Sequence, residues 1–505
     1  MLSYLDSHHD FKYEHTFAPA AQGEGLPLAG VLTNQDVVRI IAEEKVSFPK
    51  SRGCIWTGAV TLWAFIRQVL DPDKSCRQAV ANGMMALALV VDPANLDTGL
   101  YCRRRAKIPA TVVQRLALHV GQGLEKAALE DWLWEERHVH LIDGSTSELP
   151  DTEENQEKFR QSNTQKKGLG FPLIRWVALI GLATAAIQGF AYGPYAGKET
   201  GETALFRELL AQLNAGDIVL ADRYYCSYFM IALLQRLGVD IVMRMHQKRK
   251  YDFRRGQRLG EDDHIVEWSK PERPEWMSEE EYAQMPATLR MREIRRGVAK
   301  SGYRVKELVI ATTLLDAKKY KADDVVMLYA KRWQVELDIR SLKTTLGMEE
   351  LRCKSPFMLE TEIWAHILAY NLVRKVGAQV AVEMNVTPRS ISFKAVKQAM
   401  LAGWQQASQL WGTPEYVQTQ KAMLRILGKQ KVGHRPGRCE PRAVKGRPKA
   451  HKLLMEPREE ARAKLLKGKK AKAKKAKPKQ AKPENARPEK TDPQRSAKPK
   501  KAKQS

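Results

Sequence analysis

The stretch Tyr329-Ala-Lys-Arg332-Trp-Gln-Val-Glu336-Leu-Asp-Ile-Arg-Ser-Leu-Lys343 places a tyrosine, an arginine, a glutamate and a lysine at spacings of three, four and seven residues. At about 100° per residue, a helix brings these four side chains within an arc of roughly 60° on one face. A carboxylate flanked by two cations suits metal-assisted phosphoryl transfer, because the carboxylate holds a divalent cation and the cations hold a polyanion. The spacing is equally compatible with a solvated amphipathic helix that carries chance ion pairs.

An apolar stripe runs beside this polar face, and it predicts that the helix docks on a sheet. The stripe consists of Leu328, Val335, Ile339, Leu342 and Leu346.

Two apolar segments upstream each run into an aspartate. His138-Val-His-Leu-Ile-Asp143 predicts a strand that ends at Asp143, and Asp217-Ile-Val-Leu-Ala-Asp222 predicts a strand that ends at Asp222. Either segment alone is weak support, since strands often end in Asp at a turn. Two such aspartates followed by Glu336 on a helix form a candidate catalytic triad.

With these aspartates, the pattern Y-x2-R-x3-E-x6-K resembles the signature of DDE transposases of the insertion sequence 4 family, a cut-and-paste group that forms DNA hairpins. The resemblance implies that Asp143, Asp222 and Glu336 are the catalytic, metal-binding carboxylates. It implies double-stranded DNA as partner, both the terminal inverted repeats of a transposon and the target DNA. It also implies nicking, hairpin formation, hairpin opening and strand transfer, carried out by a homodimer.

The chemistry expected of the triad follows from charge. Three carboxylates would bring two divalent cations to about 3.5–4 Å of each other, one to activate water or a DNA 3′-hydroxyl and one to stabilise the leaving oxygen. Mg²⁺ is the expected ion, with Mn²⁺ as a substitute, because carboxylate oxygens and water suit it. Arg332 and Lys343 are expected to bind phosphates near the scissile bond, with Tyr329 packed or hydrogen-bonded beside them.

The order of elements predicts an α/β fold with a ribonuclease H-like mixed sheet in residues 131–415. The predicted order is a strand at 138–143, a hairpin at 173–192, a helix at 200–214, a strand at 217–222, a helix at 227–238 and a strand at 239–245. Two apolar helices, at about 359–382 and 390–411, are predicted to pack on this core.

Asp222 and Glu336 are 114 residues apart, more than one helix and one strand require. The excess, at about 246–318, has strand-like runs and predicts a β-rich insertion. The resemblance implies that such an insertion supports hairpin formation, with a tryptophan stacked on a flipped base. Trp268 and Trp276 are the candidates, and each also fits the pattern of a core or surface aromatic.

Residues 1–130 form a predicted helical region, with helices at about 36–44, 57–70, 74–91 and 110–136. The resemblance implies that this region recognises the transposon ends. Several basic residues there are candidates for phosphate contacts, although each is equally compatible with plain surface: Lys50, Arg52, Arg77, Arg103, Arg104, Arg105 and Lys107.

The net charge of +26 is concentrated at one end of the chain. Residues 429–505 hold 28 Lys and Arg against 7 Asp and Glu, a net +21, and the rest holds 56 against 51, a net +5. This segment is rich in Lys, Ala and Pro and poor in large apolar residues. We therefore predict that residues 416–505 form a basic, largely disordered tail that binds nucleic acid without sequence preference. A merely solubilising tail is the alternative.

Cysteine usage and the apolar runs bear on the compartment. The six cysteines are scattered without a CxxC pair, which indicates neither a zinc finger nor a disulfide framework and predicts a reducing bacterial cytosol. The apolar run at 171–195 is interrupted by Arg175, Gln188 and Pro194, so a core hairpin is expected and no membrane partner. No GxxxxGK[ST] motif occurs, so no nucleotide cofactor is expected.

Three other functions stay open at the level of sequence. A ribonuclease H-like nuclease would cut without joining, and a silenced transposase would bind DNA without catalysis. The intact triad argues against the silenced protein. A glycosidase with two carboxylates is more distant, because its site has no need of a basic arm.

Overall fold

The computed structural model of the chain describes residues 32, 34–48, 55–86, 97–297, 307–410, 414–433 and 454–475. The chain divides into two compact units, residues 1–166 with 170–447 and residues 167–169 with 448–505. The strands are β1 (Val139–Glu148), β2 (Leu173–Gly181), β3 (Ile187–Pro194), β4 (Ile218–Ala221), β5 (Asp240–Arg244), β6 (Gln257–Gly260), β7 (Asp263–Ser269), β8 (Thr288–Gly297) and β9 (Glu307–Thr312).

Fifteen helices longer than one turn lie in the described ranges. They are α1 (Asn34–Glu43), α2 (Gly58–Leu70), α3 (Cys76–Ala86), α4 (Thr98–Arg105), α5 (Ala110–Lys126), α6 (Glu153–Lys158), α7 (Glu202–Glu208), α8 (Tyr228–Arg236), α9 (Glu279–Gln284), α10 (Ala322–Ala330), α11 (Gln334–Arg340), α12 (Pro356–Glu383), α13 (Phe393–Leu410), α14 (Pro414–Gly428) and α15 (Arg458–Lys475).

The strands form one nine-stranded sheet in the order β3-β2-β1-β4-β5-β9-β8-β7-β6. In its first half, β1, β2 and β3 are antiparallel neighbours, and β4 and β5 continue parallel to β1. This order and polarity are those of a ribonuclease H-like core, so the predicted fold class is confirmed. The run at 171–195 supplies the β2–β3 hairpin, as predicted. Within the described ranges, no helix is long and apolar enough to cross a bilayer.

Strand β1 is longer than the sequence predicts. The pattern places its end at Asp143, but pairing with β2 continues from Asp143↔Ala178 to Glu148↔Leu173. The polar residues after Asp143 stay in the strand because the β2 backbone satisfies their hydrogen bonds. Asp143 therefore lies in the middle of a strand, whereas Asp222 follows the last residue of β4 directly, as expected.

The segment between Asp222 and Glu336 extends the core sheet. Strand β9 pairs antiparallel with β5, and β8, β7 and β6 follow outward. Within the described residues, the predicted β-rich insertion contains these four strands and one short helix, α9, which begins at the capping box of Ser278 and Glu281. Arg292 on β8 is fully buried and donates to both carboxylate oxygens of Asp263, at 2.8 and 2.7 Å. This pair joins β7 to β8.

Helices cover both faces of the sheet. On one face, the apolar sides of α2, α5 and α12 share a single core with Leu141 of β1 and Leu220 of β4. On the other face, α7 and α8 pack over Ile142 and Val219. The N-terminal helices are thus built into the same core as the sheet. The predicted helices at about 36–44 and 57–70 are α1 and α2. The predicted helix at 110–136 is too long, because α5 ends at Lys126 and Glu135 and Glu136 adopt positive φ angles next to the Trp134–Arg137 bridge.

The two predicted C-terminal helices are α12 and α13. The predicted tail at 416–505 is not uniformly without structure, because it contains most of α14 and all of α15. Helix α15 is rich in Ala, Lys, Leu and Arg, which are good helix formers. The rest of the tail, at 434–453 and 476–505, lies outside the described residues.

Candidate active site

The two aspartates of the candidate triad lie on neighbouring parallel strands. The register pairs Val139 with Ile218 and Leu141 with Leu220. Two residues further along, the same register brings Asp143 and Asp222 to one level of the sheet. The structure therefore places these carboxylates together, as the sequence predicts.

Asp143 is a half-buried carboxyl group with few compensating partners. Its Oδ1 accepts a hydrogen bond from the Gly144 backbone N–H at 2.9 Å, and its Oδ2 lies 3.7 Å from Arg332 Nη1. Burial raises the pKa of Asp143 to about 6, and the charges of Asp222 and Glu202 act in the same direction. The Gly144 hydrogen bond and the Arg332 charge only partly oppose this shift. A carboxylate in such a position favours the approach of a cation.

Asp222 faces an open polar cavity. Its Oδ1 accepts from the Tyr224 backbone N–H at 2.7 Å, which fixes the turn after β4. The cavity has a volume of about 450 Å³, and its lining combines carboxylates with cations: Arg175, Glu202, Asp222, Arg223, Tyr224, His246 and Gln247.

Glu336 lies in the first turn of α11, and its side chain is 40% exposed. Arg332 joins it to Asp143, because Nη2 donates to Glu336 Oε1 at 3.3 Å while Nη1 faces Asp143. The arginine therefore stands between two of the three predicted ligands and partly neutralises both.

The quoted stretch is not one regular helix, which corrects the predicted single face. Helix α10 ends at Ala330, a 3₁₀ turn covers Lys331–Trp333, and α11 leads into a π-helical turn at Ser341–Thr345. Tighter and wider turns change the angle per residue, so the arc computed for an ideal helix does not hold. The apolar stripe survives this change, because Leu328, Val335, Leu342 and Leu346 are buried and Ile339 packs against the same core.

Tyr329 and Lys343 differ in their distance from the carboxylates. Tyr329 is 8% exposed, and burial raises its pKa to about 12, with the charge of Asp222 acting in the same direction and those of Arg332 and Arg244 opposing it. It thus lies beside Arg332, as predicted. The Lys343 ammonium faces Glu349 at 3.9 Å. The Lys343 side chain is therefore directed toward residues that follow α11 and not toward Glu336.

Two divalent cations are the group that the triad implies. In the ranges that the structure describes, no three His, Cys, Asp or Glu side chains stand close enough together to hold an ion. The donor chemistry nevertheless fits, since all three candidates offer carboxylate oxygens, the ligands that Mg²⁺ prefers. Arg332 occupies the position of positive charge between Asp143 and Glu336, so ion binding requires its side chain to move.

The two tryptophan candidates lie in different surroundings. Trp268 is 3% exposed, its indole N–H donates to Glu293 at 2.8 Å, and the Arg249 guanidinium covers its ring at 3.7 Å. This side chain belongs to a core and offers no open face to a base. Trp276 is half-buried beneath the Arg207 guanidinium at 3.9 Å and borders a second cavity of about 470 Å³.

The predicted phosphate-contact residues are only partly on the surface. Arg77, Arg103 and Lys107 are exposed. Arg104 and Arg105 are half-buried, and the Arg105 guanidinium lies 4.9 Å from the Phe65 ring centroid and donates to Gln68 at 3.0 Å. Lys50 and Arg52 lie outside the described residues.

Glu202, the first residue of α7, is the acidic group near the triad that the sequence did not single out. Its Oε2 accepts from the Tyr225 hydroxyl at 3.1 Å, and it shares the cavity with Asp222. The available signal was Gly144, since a glycine inside a strand often marks the close approach of another group.

Comparisons with known proteins bear on what this site does. Residues 134–372 match the family described as the transposase DDE domain. The transposase InsG of insertion sequence element IS4 from Escherichia coli K12 is 26% identical over 372 residues, which cover 70% of this chain and 80% of that protein. The putative transposase InsL of element IS186A from the same strain is 33% identical over 82 residues, 16% of this chain and 21% of that protein.

A solved structure is also similar over much of the chain. It is the cryo-EM structure of the piggyBac transposase synaptic complex with hairpin DNA, at 10% identity and a TM-score of 0.39, and the match covers 81% of this chain and 83% of that one.

Proposed function

Since the chain is a DDE transposase of the insertion sequence 4 family, we propose that it excises its element by metal-dependent phosphodiester cleavage at the terminal inverted repeats. The excised end then joins target DNA, with a hairpin as intermediate. We assign Asp143, Asp222 and Glu336 as the catalytic carboxylates, Mg²⁺ as the ion and Mn²⁺ as its substitute.

The observation that carries the proposal is the placement of the two aspartates at one level of parallel strands, with Glu336 linked to Asp143 through Arg332. Bound cations would supply a polarised phosphate and an activated oxygen nucleophile. The chain's own contribution is to hold two carboxylates on rigid strands and to bring the third on α11. Arg332 can exchange its carboxylate partners for a phosphate when an ion takes its place between them.

The assignment of DNA contacts follows from the same geometry. Arg332 binds the phosphate near the scissile bond, and buried Tyr329 of α10 packs beside Arg332. Lys343, whose ammonium lies near Glu349, binds phosphate further from the cleaved bond. Trp276, which is half-buried and borders the second cavity, is the residue that we assign to stacking on a flipped base. We further propose that the enzyme acts as a homodimer in the bacterial cytosol, on both ends of its element.

Metal exchange tests the proposed chemistry. Ca²⁺ is expected to support binding of end DNA without cleavage, because it fills the site with irregular coordination, while Mg²⁺ and Mn²⁺ support both. The measurement pairs a gel-shift assay with a cleavage assay on the same labelled duplex. Robust cleavage in EDTA would contradict the metal mechanism.

A further inference from the structure

We propose that Glu202 is a fourth carboxylate ligand of the cation site, alongside Asp143, Asp222 and Glu336. This inference rests on the proposed function and adds a residue that the family signature does not contain. It concerns the side of the site opposite α11.

Gly144, the residue after Asp143, marks a close approach of another group to the backbone of β1. A glycine in a strand interior costs stability relative to a residue with a side chain, so its presence suggests that something approaches the backbone. The Glu202 carboxyl is what approaches: a Cβ at position 144 would lie 2.6 Å from Glu202 Cδ and 2.9 Å from Oε1. The glycine therefore makes room for a carboxylate directly beside Asp143.

The loop that follows Asp222 holds Glu202 in place. Tyr225, three residues after Asp222, is fully buried and packs edge-on against Phe206 at 5.8 Å. Its hydroxyl donates to Glu202 Oε2. A carboxylate has about four acceptor positions, so others remain for an ion, and Glu202 lines the same cavity as Asp222.

Glu336 and Glu202 reach the aspartates from opposite faces of the sheet. Helix α11 reaches the aspartates from one face of the sheet, where Val335 is buried, and α7 reaches them from the other, where Leu205 and Phe206 are buried. Two cations about 3.5–4 Å apart need oxygen ligands on both sides of the aspartate pair. Glu336 supplies one side and Glu202 supplies the other.

The test measures cation affinity apart from turnover. Ca²⁺ is titrated by calorimetry into the complex of full-length protein with duplex carrying the element's own ends. Glu202→Gln keeps an oxygen that accepts from Tyr225 and removes the charge, so it is expected to weaken Ca²⁺ binding on the order of 10-fold or more. The Mg²⁺ concentration for half-maximal cleavage should rise in parallel. Glu208→Gln, an exposed change on the same helix, is the matched control and should stay within about 2-fold of wild type.

Two further variants separate the possible outcomes. Asp222→Asn must weaken Ca²⁺ binding if the proposed site exists at all. If it does so while Glu202→Gln behaves like Glu208→Gln, Glu202 is not a ligand and the proposed function stands. If neither variant changes Ca²⁺ binding, the proposed metal site fails together with this inference. Tyr225→Phe removes only the hydrogen bond. Thermal destabilisation by Tyr225→Phe, together with unchanged Ca²⁺ affinity in Glu202→Gln, would show that Glu202 merely anchors Tyr225.

Discussion

At Asp143, the charge that catalysis requires is unfavourable for the stability of the fold. It lies in mid-strand, 23% exposed, with one backbone hydrogen bond and an arginine that it shares with Glu336. Its burial disfavours the charged form that cation binding requires. The protein keeps this unfavourable charge in place, which is typical of a site built for a ligand that is not part of the chain.

Neutral isosteres of the triad separate chemistry from binding. Asp143→Asn, Asp222→Asn and Glu336→Gln are each expected to reduce end cleavage by at least about 10³-fold, because the carboxylates hold cations that supply most of the catalysis. Binding of end DNA should stay within a few fold, since none of the three is a phosphate contact. Parallel cleavage and gel-shift assays measure the two effects. A variant that cuts at nearly the wild-type rate would remove that residue from the triad.

The same Asp143→Asn change is expected to stabilise the metal-free fold. The raised pKa means that ionised Asp143 costs stability above about pH 6, and that this cost disappears as the pH falls toward the unfolded value near 3.8. The variant should therefore be more stable by about 1–3 kcal/mol at pH 7.5 and equal to wild type near pH 4. Urea unfolding of both proteins at the two pH values, in EDTA, measures the difference. A variant that is less stable at pH 7.5 would contradict the burial argument.

At the scale of elements, α11 is anchored by a buried ion cluster. Asp338, two residues after Glu336, is buried, accepts from Arg374 of α12 at 2.7 Å and lies 2.9 Å from Arg389 Nη1. Arg374 is also hydrogen-bonded to the Tyr370 hydroxyl. The cluster fixes the helix that carries Glu336 against the longest helix of the core.

Breaking this cluster is expected to unfold or misplace α11. Asp338→Asn leaves two arginines beside a neutral group, and removal of one partner of a buried pair costs about 3–5 kcal/mol. Glu349→Gln, which removes the exposed partner of Lys343, should cost less than about 1 kcal/mol. Urea denaturation of both variants gives the comparison. Equal stability of the two would show that the Asp338 cluster does not hold the helix.

The elements also show where sequence patterns suffice. Asp222 could be placed at a strand end because β4 is a short, fully apolar run that ends in a polar turn. Asp143 could not, because the five residues after it are kept in β1 by pairing with β2, and Glu148 also pairs with Glu350. The break between α10 and α11 could not be predicted from the sequence either, since Arg332 and Trp333 are compatible with a continuous helix. Glu202 meets Gly144 only after the chain has folded.

At the scale of the whole molecule, charge is distributed unequally. Residues 448–505, which make up most of the second compact unit, carry 21 Lys and Arg against 6 Asp and Glu. Helix α14 and Lys431 belong to the first unit and lie before this point. A truncation after residue 447 therefore removes a basic segment and leaves the sheet and its helices intact.

This truncation is expected to flatten the salt dependence of non-specific binding. Each phosphate neutralised on duplex DNA contributes about −0.9 to the slope of log K against log salt, so a loss of roughly five contacts reduces the slope by about 4–5. Cleavage of the ends at low salt should persist, because the triad lies in the first unit. Salt titrations with random duplex and with end duplex measure both. An unchanged slope would show that the segment is not a DNA arm.

Excision of the element by purified full-length protein tests the assigned active site most directly. The substrate is a labelled linear duplex that carries the element's ends and flanks, incubated with Mg²⁺ and run on a denaturing gel. We expect double-strand breaks at the ends and element fragments that migrate as covalently closed hairpins, and none of these products with Asp222→Asn. Cleavage that persists in Asp222→Asn, or an absence of cleavage by the wild-type protein on DNA that it binds, would contradict the assigned active site.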